Sequence, residues 1–279
     1  MTEPYFQTWL YPKQGSGQLY KRLGEEICSR GGEFLLATKV DSINRESQRV
    51  TSLTVESGGS IGNLPCSWLV NTIPLPHFIR TFGEGVPFIV RHHASKLRYI
   101  SLVLVYIEFA VERVSEDHWF YLLDPKFKFN RVTEQKNLSP ATQEPGKTVL
   151  SFELTCRVGD AYWTMTDEEL FDLAKADCKQ VHFLLDKMDR ITDFLIKRVP
   201  NVYEIYFKHF DQHAEVALGY LQEFENVCSI GRRGLFLQGD QHQAVEMGIH
   251  MGDLLSAGTV RRHDLDNYLR KYVRYIDDY

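Results

Sequence analysis

Apolar residues recur at helical intervals near the start of the chain. Leu19, Leu23 and Ile27 follow one another every four residues after a glycine-containing turn. This spacing predicts a helix with a single apolar stripe. Gly31-Gly32 comes directly after it and provides the left-handed conformation that commonly ends helices.

A second helical pattern begins at Thr166, where the sequence Thr-Asp-Glu-Glu is typical of a capping box. Further helices are expected at 211–223, at 243–255 and from Asp264 onward. We expect the longest helix to start at the capping box, with its apolar positions at Leu170, Leu173, Ala174, Val181, Leu184 and Leu185.

Runs rich in β-branched and aromatic residues predict strands between these helices. Residues 33–43 and 50–55 are expected to form a hairpin, and a third strand is expected at 67–73. The run from Tyr99 to Ile107 predicts a strand that is buried on both faces. Other strands are expected at 118–123, 127–132, 148–154, 199–207 and 234–240. The fold class is therefore α/β, mixed with α+β features, with a mixed or antiparallel sheet.

The composition is that of a folded protein with a sizeable core. The chain has 279 residues, of which 43% are hydrophobic and 13% aromatic. Its net charge of -5, with only isolated basic clusters, argues against nucleic acid as a partner. The longest apolar run has nine residues, half of the roughly 18 that a membrane-spanning helix needs. A small-molecule ligand is the expected partner.

The cysteines and histidines predict no metal site. Five scattered cysteines lack any Cys-x-x-Cys spacing, and the histidines show no Glu-x-x-His pattern. The first residues also lack the basic and apolar layout of a secretory signal. We therefore expect free thiols and a cytoplasmic location.

Three motifs, in this order, carry a resemblance to known proteins. Tyr11-Pro-Lys-Gln-Gly-Ser-Gly17 precedes the first helix, Ile230-Gly-Arg-Arg-Gly-Leu-Phe236 lies near the end, and Val245-Glu-Met-Gly248 follows it. Together they resemble the amine oxidase flavoproteins. The block from Trp119 to Pro140 resembles protoporphyrinogen oxidase-like and UDP-galactopyranose mutase-like members.

The resemblance implies that the chain corresponds to the later part of a full family member. Such members begin with a strand, a Gly-x-Gly-x-x-Gly turn and a helix, and this sequence contains no such run. We therefore expect an incomplete FAD-binding lobe at 11–76 and 211–258. A mixed-sheet substrate-binding lobe is expected at 77–210, interwoven with it, and a C-terminal helix at 259–279.

The resemblance also implies contacts with FAD. Val40 would lie beside the adenine, Thr72 near the same end of the cofactor, and Gly239 and Asp240 near the phosphates and the ribityl chain. The segment Val245-Glu246-Met247-Gly248 would begin a helix whose amides point at the flavin.

Local explanations compete with these assignments. Gly239-Asp240 also fits an ordinary turn and helix cap, and Met247 also fits core packing.

Substrate contacts are expected on the predicted sheet. Arg131, with Tyr121, Asn130 and Glu134 nearby, could hold a carboxylate or a diphosphate. A surface ion pair is an equally good explanation for Arg131.

Tyr203 and Tyr206 match a Tyr-x-x-Tyr element that lies beside the substrate diphosphate in mutase-like relatives. They also fit the aromatic face of a half-buried strand.

The function expected from the resemblance is that of an FAD-dependent oxidoreductase with an unknown substrate and unknown catalytic residues. One alternative is a mutase-like enzyme acting on a sugar nucleotide. Another is a cofactor-free remnant, or one subunit of a split protein, whose partner would be a separate dinucleotide-binding chain or a second copy.

Overall fold

The computed structural model of the protein describes residues 10–258, and these residues divide into two compact units. Unit 1 consists of residues 10–34 and 100–202. Unit 2 consists of residues 35–99 and 203–258. Each unit is therefore built from two separate stretches of the chain, as expected for interwoven lobes.

The unit boundaries lie elsewhere than the predicted lobe boundaries at 76/77 and 210/211. The first helix shares a unit with the large sheet, and residues 77–99 share one with residues 203–258. The assignment of a cofactor lobe and a substrate lobe stays a prediction. The helix predicted at 259–279 lies outside the described residues.

Both units combine helices and strands, and the α/β class is confirmed. The strands are β1 (Thr38–Glu46), β2 (Arg49–Ser57), β3 (Ser60–Pro65), β4 (Leu69–Asn71), β5 (Tyr99–Phe109), β6 (Trp119–Tyr121), β7 (Arg131–Glu134), β8 (Thr148–Cys156), β9 (Ile191–Glu204) and β10 (Val227–Ser229). The α-helices are α1 (Gly17–Ser29), α2 (Leu75–Thr81), α3 (Phe88–Lys96), α4 (Gln135–Leu138), α5 (Ala161–Thr164), α6 (Asp167–Cys178), α7 (His182–Leu185), α8 (Phe210–Leu221), α9 (Gly231–Leu235) and α10 (Gln241–Ser256). Short 3-10 turns lie at Gly83–Gly85, Pro140–Thr142 and Met188–Arg190.

Unit 1 is organised around a five-stranded sheet in the order β6-β7-β8-β5-β9. Neighbouring strands from β6 to β5 run antiparallel. Val132, Phe152 and Val105 are paired across three of these strands and are all buried. Since side chains alternate along a strand, their common face forms the core and the opposite face is free to carry polar groups.

The capping box of α6 is present as predicted. The backbone N–H of Glu169 donates to Thr166 Oγ1 at 3.2 Å, and that of Thr166 donates to Glu169 Oε2 at 2.8 Å. The predicted helix length is wrong, because α6 ends at Cys178 and residues 182–185 form the separate helix α7. The chain tightens into an i,i+3 turn there, and the β-branched Val181 is extended.

Helix α1 forms as predicted, and its apolar stripe remains exposed. Leu19, Leu23 and Ile27 are 40%, 49% and 45% exposed. The stop at the double glycine is also present, since Gly31 has a φ of +86° and the N–H of Gly32 donates to the Ile27 carbonyl oxygen.

Unit 2 contains the predicted hairpin as β1 and β2, which pair antiparallel. A further strand, β3, was not predicted and extends the hairpin into a three-stranded sheet. All six of its residues are exposed, so β3 has no buried alternation by which the sequence would show it.

The other sheet of unit 2 consists of β4 and β10, which pair in parallel. The predicted strand at 67–73 is present as the shorter β4. The strand predicted at 234–240 is wrong. Gly231, with a φ of +72°, turns the chain after β10 into α9, and Phe236 is left-handed at the end of that helix. The apolar run there fits one helical turn as well as a strand.

Candidate functional site

Asp240 begins the long helix α10 of unit 2. It is extended at the N-cap position, and its backbone N–H donates to Gln243 Oε1 at 2.7 Å. The helix therefore starts at Gln241, two residues earlier than predicted. Residues 245–248 consequently lie in the second turn rather than at the start. The backbone N–H groups there bond to carbonyls within the helix, which corrects the expectation that these amides face a ligand.

Gly239 is packed closely against the cap. A Cβ atom added there would lie 2.6 Å from Gln243 Oε1, the atom that accepts the Asp240 N–H. A larger residue would therefore displace the Gln243 side chain from the start of the helix. Gly239 and Asp240 act as a turn and a cap, whatever else they bind.

Arg232 lies on α9, with its guanidinium over the ring of Tyr203 at 4.9 Å from the ring centroid. Its Nε is 3.5 Å from Glu204 Oε2, a long contact for a hydrogen bond. Arg232 Nη2 and Glu204 Oε1 are buried and have no hydrogen-bond partner among the described residues. A donor and an acceptor on two contacting side chains are thus both unsatisfied.

The Glu204 side chain is completely buried, with an exposed fraction of 0%. This burial raises the pKa of the carboxyl above its ordinary value, and Arg232 and Arg233 oppose the shift. Desolvation prevails over the nearby positive charges, so Glu204 holds its proton more strongly than an exposed glutamate does.

Tyr206 connects this region to the turn before α10. Its ring stacks on Phe210 with centroids 4.1 Å apart, and its hydroxyl oxygen accepts a hydrogen bond from the backbone N–H of Gln238. Burial also raises the pKa of Tyr206. At ordinary pH the side chain is a neutral phenol with a fixed position.

A small concavity, partly open to solvent, lies at the start of α10. Tyr203 contacts Arg232, which lines the concavity, and Tyr206 contacts Gln238, the residue before Gly239. Sequence reasoning missed Arg232, Glu204 and Gln243, although Glu204 stands between the two tyrosines. The lining residues are Arg232, Leu237, Gly239, Asp240, Gln243, Ala244 and Met247.

Most of the other residues predicted to contact the cofactor do not line the concavity. Val40 is half-buried on β1 and packs against the core of unit 2, whereas Thr72 is exposed after β4. Val245, Glu246 and Gly248 are exposed on α10, and Met247 is buried. Of these six positions only Met247 lines the concavity.

In unit 1 the structure brings together the predicted substrate residues of the sheet. Tyr121 lies directly opposite Arg131 in the β6–β7 pair. Arg131 Nη2 is 2.6 Å from Glu153 Oε1 on the next strand, so an ion pair is present. Asn130 donates from its side chain to Thr155 Oγ1 at 3.5 Å.

Glu134, which was expected near Arg131, points to the other face of the sheet. Its carboxylate is completely buried and accepts hydrogen bonds from the backbone N–H groups of Val114 and Ser115 and from the Thr148 hydroxyl. Residues 131 and 134 differ by an odd number of positions, and a strand then directs them to opposite faces. Glu134 is a structural residue of unit 1.

Residues 10–258 contain neither a metal-binding cluster nor a membrane-spanning helix. No cluster of three His, Cys, Asp or Glu side chains in this part of the chain is arranged to hold a metal ion. Within the same range, no helix has both the length and the hydropathy needed to cross a bilayer.

The chain has the α/β fold of flavoproteins. Residues 2–251 match the model of the flavin containing amine oxidoreductase family, and the chain belongs to that family. The resemblance inferred from its motifs is confirmed. No curated protein matches the sequence.

Several solved structures share the fold at low sequence identity. Reduced UDP-galactopyranose mutase superposes with a TM-score of 0.75 and 19% identity, over 93% of this chain and 56% of the mutase. A protein assigned as a protoporphyrinogen oxidase, from an Exiguobacterium species, gives a TM-score of 0.60 and 17% identity, over 79% of this chain and 47% of its own. A geranylgeranyl bacteriochlorophyll reductase-like protein from Thermoplasma acidophilum gives a TM-score of 0.55 and 12% identity, over 94% of this chain and 58% of its own. The chain spans about half the length of these proteins.

Proposed function

We propose that the chain forms part of an FAD-dependent oxidoreductase and that the concavity at the start of α10 contacts the cofactor. The proposal is carried by one observation. Arg232 and the Gly239-Asp240 turn line a single concavity in a chain of the flavin amine oxidoreductase family, and Tyr206 is hydrogen-bonded to Gln238 next to that turn.

The residues present fit one edge of FAD. Gly239 has no side chain to cover the backbone beside the concavity. The carboxylate of Asp240 could accept a hydrogen bond from a ribityl hydroxyl. The positive end of the α10 dipole favours negative charge nearby. Val40 and Thr72 remain our proposed contacts for the adenine end. When bound, the flavin would supply the capacity to accept a hydride from a substrate.

The protein's own groups would position the ligands and hold charge. Arg232 keeps a permanent positive charge at the concavity, and the neutral phenol of Tyr206 fixes the turn at Gln238. In unit 1, Tyr121 and Arg131 are our proposed contacts for a small-molecule substrate. Glu153 already neutralises Arg131, so an anionic substrate would have to share or displace that ion pair.

Binding of FAD by this chain is tested by purifying it and recording its absorbance between roughly 350 and 480 nm, where the flavin absorbs. We expect added FAD to raise the melting temperature. Asp240→Asn keeps a good N-cap and removes the charge, so affinity should fall about tenfold with little change in stability. Asp253→Asn, at the other end of the same helix, is the matched control. A chain without chromophore and without a thermal shift contradicts the proposal.

A mutase-like activity on a sugar nucleotide is the second candidate, and the TM-score of 0.75 with the mutase favours it. A thermal shift with a UDP-hexose, lost in Tyr203→Ala and kept in Tyr121→Ala, would support it. Failure with both FAD and UDP-hexose would instead support a cofactor-free binding subunit. The five free thiols fit a reducing compartment, and we propose the cytoplasm.

A further inference from the structure

Arg232 and Glu204 in unit 2 each contribute one of the buried polar atoms that lack a hydrogen-bond partner. Arg232 Nη2 and Glu204 Oε1 are both shielded from solvent without a hydrogen bond. Leaving a buried donor or acceptor unsatisfied destabilises the folded state, and more so for a charged group. A pair of such atoms in adjacent side chains indicates that a ligand group completes the arrangement.

Two arginines lie near Glu204, while the carboxylate of Asp240 lies in the lining of the concavity. Arg232 cannot lose its proton, and Arg233 adds a second positive charge to the same short helix. The only carboxylate in hydrogen-bonding range of Arg232 among the described residues is that of Glu204, at 3.5 Å. Arg232 also lines the concavity, and 31% of its side chain is exposed.

We infer that Arg232 and Glu204 form a proton-coupled oxyanion site, in which Arg232 binds a phosphate-like or sulfate-like group and Glu204 takes up a proton as the anion binds. This inference depends on the proposed function only because both use the same concavity. An ionised Glu204 would neutralise the charge of Arg232 and so weaken the binding of the anion. A protonated Glu204 leaves Arg232 uncompensated and gains a donor.

The groups facing Glu204 agree with this coupling. Arg232 and Arg233 come from α9, Tyr99 from the start of β5, and Tyr206 from the segment after β9. Both tyrosines have raised pKa values and stay neutral. Burial has already shifted the pKa of Glu204 upward. Glu204 is thus the group in this cluster that titrates when an anion approaches.

Inorganic sulfate tests the site, because its charge stays constant near neutral pH. The full chain is titrated with sulfate at constant ionic strength, from pH 5 upward, in buffers of different ionisation enthalpy. We expect affinity to fall by up to about tenfold per pH unit above the pKa of Glu204, with up to one proton taken up per anion. In Glu204→Gln, binding should persist, lose its pH dependence and take up no proton.

Two matched substitutions separate the guanidinium from general charge. Arg232→Lys keeps the charge and loses the planar donor group, so sulfate affinity should fall about tenfold. The sulfate affinity of Arg233→Lys should stay within about twofold of that of the wild type. Equal affinities in Arg232→Lys and the wild type, or proton uptake that persists in Glu204→Gln, would overturn the inference.

FAD and riboflavin identify the source of the anion. If Arg232→Lys weakens the binding of FAD and leaves that of riboflavin unchanged, the cofactor diphosphate occupies the site. If it weakens the binding of sulfate and leaves that of FAD unchanged, the oxyanion belongs to another ligand. Sulfate binding without FAD binding would refute the proposed function and leave this site standing. FAD binding without sulfate binding would refute the site alone.

Discussion

The backbone N–H of Gln238 donates a hydrogen bond to the hydroxyl oxygen of Tyr206. This bond joins the segment that follows β9 to the turn that precedes α10. The turn carries Gly239 and Asp240, so the position of the proposed cofactor contact depends on a side chain predicted for substrate binding.

Tyr206→Phe should loosen this turn without disturbing the ring stack on Phe210. Loss of one hydrogen bond costs about 0.5–1.5 kcal/mol. Hydrogen exchange should show reduced protection of the Gln238 amide in particular. Tyr121→Phe, at an exposed side chain of unit 1, is the control and should leave that amide unchanged. Unaltered protection in Tyr206→Phe would show that the bond does not hold the turn.

Gly248 and Gly252 lie one turn apart on α10, and neither has an atom within 4 Å of an added Cβ. Alanine at either position should stabilise the helix by up to about 1 kcal/mol, because glycine is a poor helix former. If Gly248 contacts the flavin, Gly248→Ala should also weaken FAD binding while Gly252→Ala should not. Urea unfolding and FAD titration measure the two effects separately. Equal FAD affinities in both variants would show that Gly248 does not contact the flavin.

The Arg131–Glu153 ion pair is partly buried, with side chains 34% and 16% exposed. A double-mutant cycle of Arg131→Met and Glu153→Gln should give a coupling free energy of about 1 kcal/mol. The exposed pair Arg49–Glu225, at 3.3 Å, is the comparison and should give less than about 0.5 kcal/mol. A coupling near zero for Arg131 would favour a role in binding over a role in stability.

The raised pKa of Glu204 should make stability depend on pH. A carboxyl with a higher pKa in the folded state binds its proton more tightly there than in the unfolded chain. Its contribution to the free energy of unfolding is therefore full below the ordinary pKa and is lost as pH rises through the raised one.

Glu204→Gln should remove that part of the pH dependence and be more stable than the wild type at high pH. Urea unfolding of both proteins across the pH range measures the difference. A difference that does not change with pH would contradict the raised pKa.

Local patterns were sufficient for most individual elements. The capping box at Thr166, the stop at Gly31 and the hairpin of β1 and β2 depend on neighbouring residues, and all were predicted correctly. Where one apolar run suits two conformations, the prediction failed. The run at 234–240 is an example, because its first two residues complete α9, which begins at the positive φ of Gly231, and the rest forms an irregular connection to α10.

The family could likewise be identified from sequence, since its motifs are short and keep their order along the chain. Neither Arg232 nor Glu204 was predicted as a site residue. The two residues are 28 positions apart in the sequence. No local sequence pattern indicates that two buried polar atoms lack hydrogen-bond partners. The sequence by itself determined the elements, the class and the family. Only the tertiary structure decided which side chains share one concavity, because burial and electrostatic coupling arise when distant segments pack together.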